Sequence, residues 1–183
     1  IFHSLCKLAD VIEIIADFDA QIWCSDDTDA IERLEIQRGT SYGYPVSTMG
    51  SHVSAVPNPQ TGRSVPLETR GIVAQSGTFG YELDPGKLED SEKETIAKQV
   101  KDYRRYAELI AQGDYYRLTE LEDDTDYTAW MFVSKDGSEA LVNFVMVHVR
   151  ANGPFPFIKL QGLLPEANYR LEGTDRIYTG AAL

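Results

Sequence analysis

The sequence lacks the features that mark several common classes of protein. Its 183 residues include only two cysteines, which are too few for a disulfide framework, and no Asn-x-Ser/Thr sequon occurs. No apolar run is long enough to cross a bilayer, and no basic segment followed by an apolar one opens the chain. A reducing, cytoplasmic environment is therefore expected.

Basic residues are also scarce. The 17 lysines and arginines are outnumbered by 29 aspartates and glutamates, which leaves a formal net charge of -12. Nucleic acids and anionic membranes attract proteins through an excess of lysine and arginine, so neither is an expected partner. Hydrophobic residues (43%) and charged residues (25%) occur in the proportions that are ordinary for a soluble globular chain.

Residues that bind metal ions are few or wrongly spaced. His52 has no second histidine or cysteine nearby, whereas a zinc site needs three or four ligands, so a hydrogen-bonded structural role is expected for it. The acidic residues 26–29 are not followed by the glycine and closing glutamate of an EF-hand loop. Neither a metal nor a cofactor is expected.

What the sequence does contain is a short apolar run that leads into three carboxylates. Residues Ile22–Cys24 predict a buried strand, and Ala30–Arg38 predict a helix that Gly39 ends. From the residues alone, two interpretations of the acids stay open. They cap the helix, which the spacing favours, or Asp26 is a catalytic acid at the end of a strand, the usual catalytic position in a barrel of alternating strands and helices.

The remainder of the first half predicts helices joined by loops. Residues 40–75 are rich in glycine, proline, serine and tyrosine and predict one strand with long connections; within them, Leu67–Ala74 is compatible with a helix or a strand. A capping box of Ser91 and Glu94 predicts the start of an amphipathic helix that Gly113 ends. The apolar spacing within residues 8–15 predicts another helix.

The second half has a different character, because β-branched and aromatic residues dominate it. Strands are predicted at Tyr127–Val133 and Ala140–Val149, with a turn at residues 135–138 between them. Three shorter strands are predicted at Phe157–Leu160, Tyr169–Leu171 and Arg176–Tyr178. No helical period intervenes, so an antiparallel sheet or sandwich is expected.

Several short segments carry distinctive combinations of residues. The stretch Gln21–Leu34 holds the three carboxylates, and residues 50–58 read Gly-Ser-His-Val-Ser-Ala-Val-Pro-Asn. Further segments lie at residues 61–63, 66–71, 77–83, 160–163 and 169–171. Together they resemble the α-galactosidases of glycoside hydrolase family 36 over roughly residues 20–183, and the combination is more specific than any single motif.

This resemblance implies a fold of α/β plus all-β class. Residues 1–113 would form the C-terminal part of a (β/α)8 catalytic barrel, within which residues 1–19 are atypical. Residues 114–183 would form an antiparallel β-sandwich domain that is cut short. The family resemblance also suggests a homo-oligomer.

The resemblance also implies an activity and site residues. Family members hydrolyse terminal α-galactosyl residues of oligosaccharides such as melibiose or raffinose, with retention of configuration. In a retaining glycosidase one carboxylate attacks the anomeric carbon and a second protonates the leaving oxygen, then deprotonates water. By its place in the motif, Asp26 matches the acid/base and a substrate-binding residue, and Trp23 matches an aromatic residue that lines the galactose site.

The sequence departs from the family in two respects. The family nucleophile lies in a Lys-Trp-Asp motif that is absent from the sequence, and residues 1–19 contain no glycine where the family has a cysteine- and glycine-rich segment. A truncated or frameshifted reading frame would explain both. Because the double displacement needs its covalent nucleophile, negligible hydrolysis is expected from this chain alone. The alternative function is a non-catalytic carbohydrate-binding or oligomerisation module.

Overall fold

The structure is a computed structural model, and it describes residues 21–120, 123 and 125–183. The helix predicted within residues 8–15 lies outside the described residues. The chain divides into two compact units, one ending at Tyr103 and one beginning at Arg104.

The first unit alternates strands with helices, as expected. Its sheet contains three strands in chain order: β1 (Ile22–Trp23), β2 (Met49–Ser54) and β3 (Thr78–Glu82). Both neighbouring pairs are parallel. Helices α1 (Ala30–Thr40) and α2 (Leu67–Ala74) lie in the two connections, since parallel strands need crossovers of this length. The segment 67–74, which the sequence left undecided, is therefore helical.

Alternating side chains of β2 face opposite sides of the sheet. Val53 is fully buried in a cluster with Leu67 and Ala74 of α2, and the Ser51 hydroxyl donates a 2.6 Å hydrogen bond to Gln37 Oε1 of α1. The alternate position His52 is only partly buried. The helices thus cover one face of the sheet, and the opposite face carries the polar and aromatic groups described below.

The predictions for β1 and α1 need correction. The strand is not buried, because Trp23 is 40% exposed and β1 pairs only with β2 among the described residues. The helix does not end at Gly39 but continues to Thr40. Gly39 is an exposed residue in the last turn, and no atom lies within 4 Å of the position of a Cβ there.

Helix α3 (Asp90–Gln112) begins earlier than its predicted capping box. Ser91 lies inside the helix, and the Glu92 carboxylate, rather than that of Glu94, accepts a 2.9 Å hydrogen bond from the Glu89 amide. The capping interaction therefore lies two residues before the predicted one. The boundary between the two units falls within this helix.

The second unit contains antiparallel strands, as predicted. One sheet has the order β4 (Asp114–Arg117), β5 (Tyr127–Val133) and β6 (Ala140–Met146). Strands β7 (Asn168–Arg170) and β8 (Ile177–Thr179) form a separate pair. The chain reverses between β5 and β6 at the predicted turn, where Gly137 has a φ of 68° that favours glycine.

Two strand predictions in this unit are wrong in part. Residues 157–160 have no strand, and Phe157 is 83% exposed. Pro154 and Pro156 precede this segment and have no amide N–H to give to a sheet, which favours an irregular backbone. Strand β6 ends at Met146 rather than at Val149.

Candidate functional site

The candidate site lies where β1, β2 and β3 end. Because the strands are parallel, the residues at their C-terminal ends meet at one edge of the sheet. Asp26 follows β1, Ser54 ends β2 and Glu82 ends β3. These three residues line a cavity of about 400 Å³, together with Trp23, Thr28, Ala55, Pro59 and Gln60. A volume of this size suits a small polar ligand.

Asp26 is exposed and is held by two neighbours. The Trp23 indole Nε1 donates a 3.0 Å hydrogen bond to Asp26 Oδ1. The backbone oxygen of Asp26 accepts a 2.7 Å hydrogen bond from Gln60 Nε2. Among the described residues, Asp26 Oδ2 has no hydrogen-bond partner. This oxygen can therefore accept a hydrogen bond from a ligand in the cavity that Asp26 lines.

Asp29, and not Asp26, caps α1. Its Oδ1 accepts hydrogen bonds from the Ile31 and Glu32 amides at 2.9 and 3.2 Å, and the side chain is 1% exposed. Thr61 donates to Oδ2 at 2.7 Å, and Arg63 pairs with Oδ1 at 2.5 Å. Burial by itself would raise the pKa of Asp29, but these hydrogen bonds hold that pKa below its usual value.

Asp27 also supports the start of the helix. Its Oδ1 accepts a 3.0 Å hydrogen bond from the Asp29 amide, and its own amide donates to Ser25 Oγ at 3.0 Å. The three carboxylates therefore differ in role: Asp27 and Asp29 order the backbone, and Asp26 faces the cavity.

Trp23 lies across the neighbouring strand. A Cβ added to Gly50 of β2 would lie 3.0 Å from Trp23 Cε3, so the glycine lets the indole approach the sheet closely. The His52 ring is next to it, with 5.0 Å between the ring centroids and 45° between the planes. The Arg33 guanidinium lies 5.5 Å from the Trp23 ring, within the range of a cation–π contact.

Arg33 is a buried cation beneath the site. It is 3% exposed, and its guanidinium donates to the backbone oxygens of Ser25 and Gly50 and to Gln37 Oε1. Burial lowers the pKa of Arg33, and nearby acidic groups oppose that shift. The arginine thus joins α1 to the segment after β1 and to the beginning of β2.

Six of the residues that line the cavity were not predicted from the sequence, and two of these, Glu82 and Gln60, form hydrogen bonds with His52 and Asp26. Glu82 Oε1 lies 3.0 Å from His52 Nδ1, so His52 is hydrogen-bonded as expected, but its partner was not foreseen. Gln60 reaches the site from the loop after β2. The place of Glu82 depends on the register of β2 against β3, which pairs Ser54 with Glu82 and which the sequence does not give.

In the part of the chain that the structure describes, no group of three or more histidine, cysteine or acidic side chains could hold a metal ion. The polar groups of the cavity are suited to proton transfer and to hydrogen bonding with a hydroxylated ligand. The helices of these same residues include none that is long and apolar enough to cross a membrane.

Comparison with known families adds independent information. Residues 12–113 match the melibiase family, and residues 127–183 match the glycosyl hydrolase family 36 C-terminal domain. The bifunctional α-galactosidase/sucrose kinase AgaSK of Mediterraneibacter gnavus is 51% identical over 166 residues, which are 91% of this chain and 18% of that protein. The α-galactosidase AgaA of Geobacillus stearothermophilus is 48% identical over 169 residues, which are 89% of this chain and 23% of that protein.

Solved structures show the same likeness. The galactosidase domain of AgaSK matches with a TM-score of 0.85 and 52% identity, over 88% of this chain and 22% of that one. A variant of AgaA in complex with raffinose matches with a TM-score of 0.84 and 48% identity, over the same shares. Another AgaA variant, in complex with stachyose, has a TM-score of 0.84. The chain thus spans 18% and 23% of the length of these two relatives, and it belongs to glycoside hydrolase family 36.

Proposed function

We propose that Asp26 is the acid/base of a retaining α-galactosidase site and that Trp23 lines the position of the galactose. The observation that carries this proposal is that the two oxygens of the Asp26 carboxylate have different surroundings. One oxygen is held by the Trp23 N–H at 3.0 Å, the other has no hydrogen-bond partner among the described residues, and Asp26 lines the cavity. The position of Asp26 after a parallel strand supports the same role, since catalytic groups of barrel enzymes lie at that end of the strands.

The proposed chemistry follows from this geometry. A carboxylate nucleophile attacks the anomeric carbon while the protonated Asp26 Oδ2 gives its proton to the glycosidic oxygen, so the glycosidic bond breaks, the alcohol departs and a galactosyl-enzyme forms. The same oxygen then removes a proton from the water that attacks the galactosyl-enzyme intermediate. Trp23 keeps the plane of the carboxyl group fixed through both steps, because its hydrogen bond to Oδ1 stays available in either protonation state.

The nucleophile must come from outside these 183 residues. A retaining mechanism requires a second carboxylate about 5–5.5 Å from the acid/base, and the Lys-Trp-Asp motif that carries it in the family is absent from the sequence. We therefore propose that this chain contributes one half of the catalytic pair. Terminal α-galactosides such as melibiose and raffinose are the proposed substrates, and the raffinose and stachyose complexes of AgaA support this choice.

The experiment uses a chimera in which residues 20–183 replace the matching segment of AgaA. In that chimera we expect Asp26→Asn to lower kcat/KM for melibiose by roughly 10²–10⁴-fold, because the leaving sugar needs a proton. Dinitrophenyl α-galactoside needs little protonation of its leaving group, so its bond-cleavage step should be much less affected. Steady-state assays of both substrates, with pre-steady-state measurement of dinitrophenol release, provide the comparison.

The matched control is Asp27→Asn in the same chimera. Asp27 is the adjacent carboxylate and orders the helix start, so we expect both substrates to respond to it alike and only weakly. The unmodified 183-residue chain, assayed alone, is expected to give no measurable hydrolysis. An equal loss on both substrates in Asp26→Asn would contradict the acid/base assignment.

A further inference from the structure

We propose that Glu82 and His52 form a positioning pair that keeps the indole N–H of Trp23 directed at Asp26. Neither residue transfers a proton in this proposal. Its catalytic consequence rests on the proposed function of Asp26, whereas the structural part can be tested without any turnover.

The hydrogen bond between Trp23 and Asp26 needs support from elsewhere. Both side chains are exposed, and Trp23 belongs to a strand of only two residues. Water competes for such a bond, so its net contribution to stability is small. This contribution is too small to restrict a large indole to one orientation. The ring must therefore be held by the groups that pack against it.

His52 supplies the lateral contact. Its ring centroid lies 5.0 Å from that of Trp23, and the planes are tilted by 45°. Ring pairs at this distance attract each other beyond the effect of the area that they bury. With Gly50 beneath the indole and His52 beside it, the Trp23 ring is confined on two sides.

Glu82 fixes the orientation of His52 in turn. The register pairs His52 with Gly80, and a Cβ on Gly80 would lie 2.8 Å from His52 Cδ2, so the imidazole lies directly across β3. Glu82 Oε1 lies 3.0 Å from His52 Nδ1. An ionised carboxylate can only accept, so Nδ1 is the donor, and this bond sets both the tautomer and the ring angle.

These contacts form a continuous series across three strands. Glu82 of β3 holds His52 of β2, His52 packs against Trp23 of β1, and Trp23 donates to Asp26. Removing the Glu82 carboxylate should free the imidazole, loosen the indole and leave Asp26 Oδ1 without its steady donor. A displacement of about 1 Å in such a group can cost roughly 100-fold in rate.

The structural test uses the intact 183-residue chain, which contains two tryptophans. Their indole N–H groups give separate nuclear magnetic resonance signals in isotope-labelled protein. Trp130 is buried in β5 and serves as an internal control for folding. We expect Glu82→Ala to shift the Trp23 signal and to speed its exchange with solvent, while the Trp130 signal stays unchanged.

Two further variants sharpen this test. Glu82→Gln keeps an oxygen that can accept from His52 Nδ1, so it should shift the Trp23 signal far less than Glu82→Ala. Glu68→Ala removes an exposed glutamate from α2 and should change neither signal. A Trp23 signal that stays at its wild-type position in Glu82→Ala would overturn the proposal.

A double-mutant cycle in the AgaA chimera tests the catalytic part. Glu82→Ala should lower kcat for melibiose roughly 10- to 100-fold with little change in KM. In a Trp23→Phe background, which has already lost the indole N–H, the same change should cause little further loss. Full additivity would show that Glu82 acts without Trp23 and would overturn the proposal. Failure of the Asp26→Asn assay would instead count against the proposed function, because the resonance measurement does not depend on turnover.

Discussion

At the scale of single residues, neighbouring groups of the same chemistry differ because of what they touch. Asp29 is 1% exposed, and its carboxylate accepts hydrogen bonds from two backbone amides and from the side chains of Thr61 and Arg63. Asp26, three positions earlier, is exposed, and its carboxylate accepts one hydrogen bond from an indole N–H. The pattern of acids after an apolar run was compatible with both helix capping and catalysis. The contacts assign capping to Asp29 and leave Asp26 at the cavity.

The depressed pKa of Asp29 makes a prediction about acid stability. Since the folded-state pKa is lower than the unfolded one, the stabilisation is present above about pH 4, the unfolded value, and is lost as the pH falls through the folded pKa. We expect Asp29→Asn to lower the free energy of unfolding at pH 7 by about 1–3 kcal/mol. The deficit should shrink in acid, as measured by denaturant titration at several pH values.

The control for this prediction is Glu35→Gln on the same helix. Glu35 is exposed, and its salt bridge to Arg38 is 3.9 Å long. Its loss should change the unfolding free energy by less than about 0.5 kcal/mol. A deficit in Asp29→Asn that did not vary between neutral and acidic pH would contradict the assigned role of the Asp29 charge.

At the scale of elements, glycines decide how closely the strands and rings of the first unit approach. Gly77 immediately precedes β3, and a Cβ there would overlap the backbone oxygen of Met49 in β2. Gly50 and Gly80 lie under the rings of Trp23 and His52. Because Gly77 and Gly80 interrupt the apolar pattern of residues 77–83, the sequence did not predict β3 as a strand.

Two glycine substitutions test whether the close approach of the strands depends on glycine. Gly77→Ala should destabilise the first unit by about 1–3 kcal/mol, since a backbone oxygen held in a sheet cannot move aside. Gly39→Ala should instead stabilise by about 0.5–1 kcal/mol, because the site is helical and no atom lies within 4 Å of the added Cβ. Far-ultraviolet circular dichroism during thermal unfolding measures both, and equal shifts of the two variants would contradict the account.

Local patterns predicted some elements well and others badly. The bounds of β5 (Tyr127–Val133) are confirmed, because continuous β-branched and aromatic residues bounded by turn residues have one structural interpretation. The strand predicted at residues 157–160 is absent, since the segment follows two prolines, and its first residue, Phe157, is exposed. Helix α3 was found, but its start was misplaced because Glu89–Glu92 and Ser91–Glu94 offer the same spacing for a cap.

At the scale of the whole molecule, several motifs together indicated the family, and the structure supplied the pairings. The stretch 21–34 alone left capping and catalysis open for its acids, and only the combined resemblance indicated Asp26 and Trp23 as site residues. The contact of His52 with Glu82 could not be predicted, because it joins residues 30 positions apart and depends on the parallel register of β2 and β3. The two family matches cover separate parts of the chain, at residues 12–113 and 127–183.

The central claim is that Asp26 is the acid/base, and chemical rescue of Asp26→Ala tests it most directly. In the AgaA chimera, azide can enter the space left by the carboxylate and attack the β-linked galactosyl-enzyme, which yields α-galactosyl azide. We predict that azide accelerates turnover of an activated α-galactoside and that the product has this α configuration, identified by nuclear magnetic resonance. A β-galactosyl azide would identify Asp26 as the nucleophile, and that result, or no rescue at all, would contradict the account.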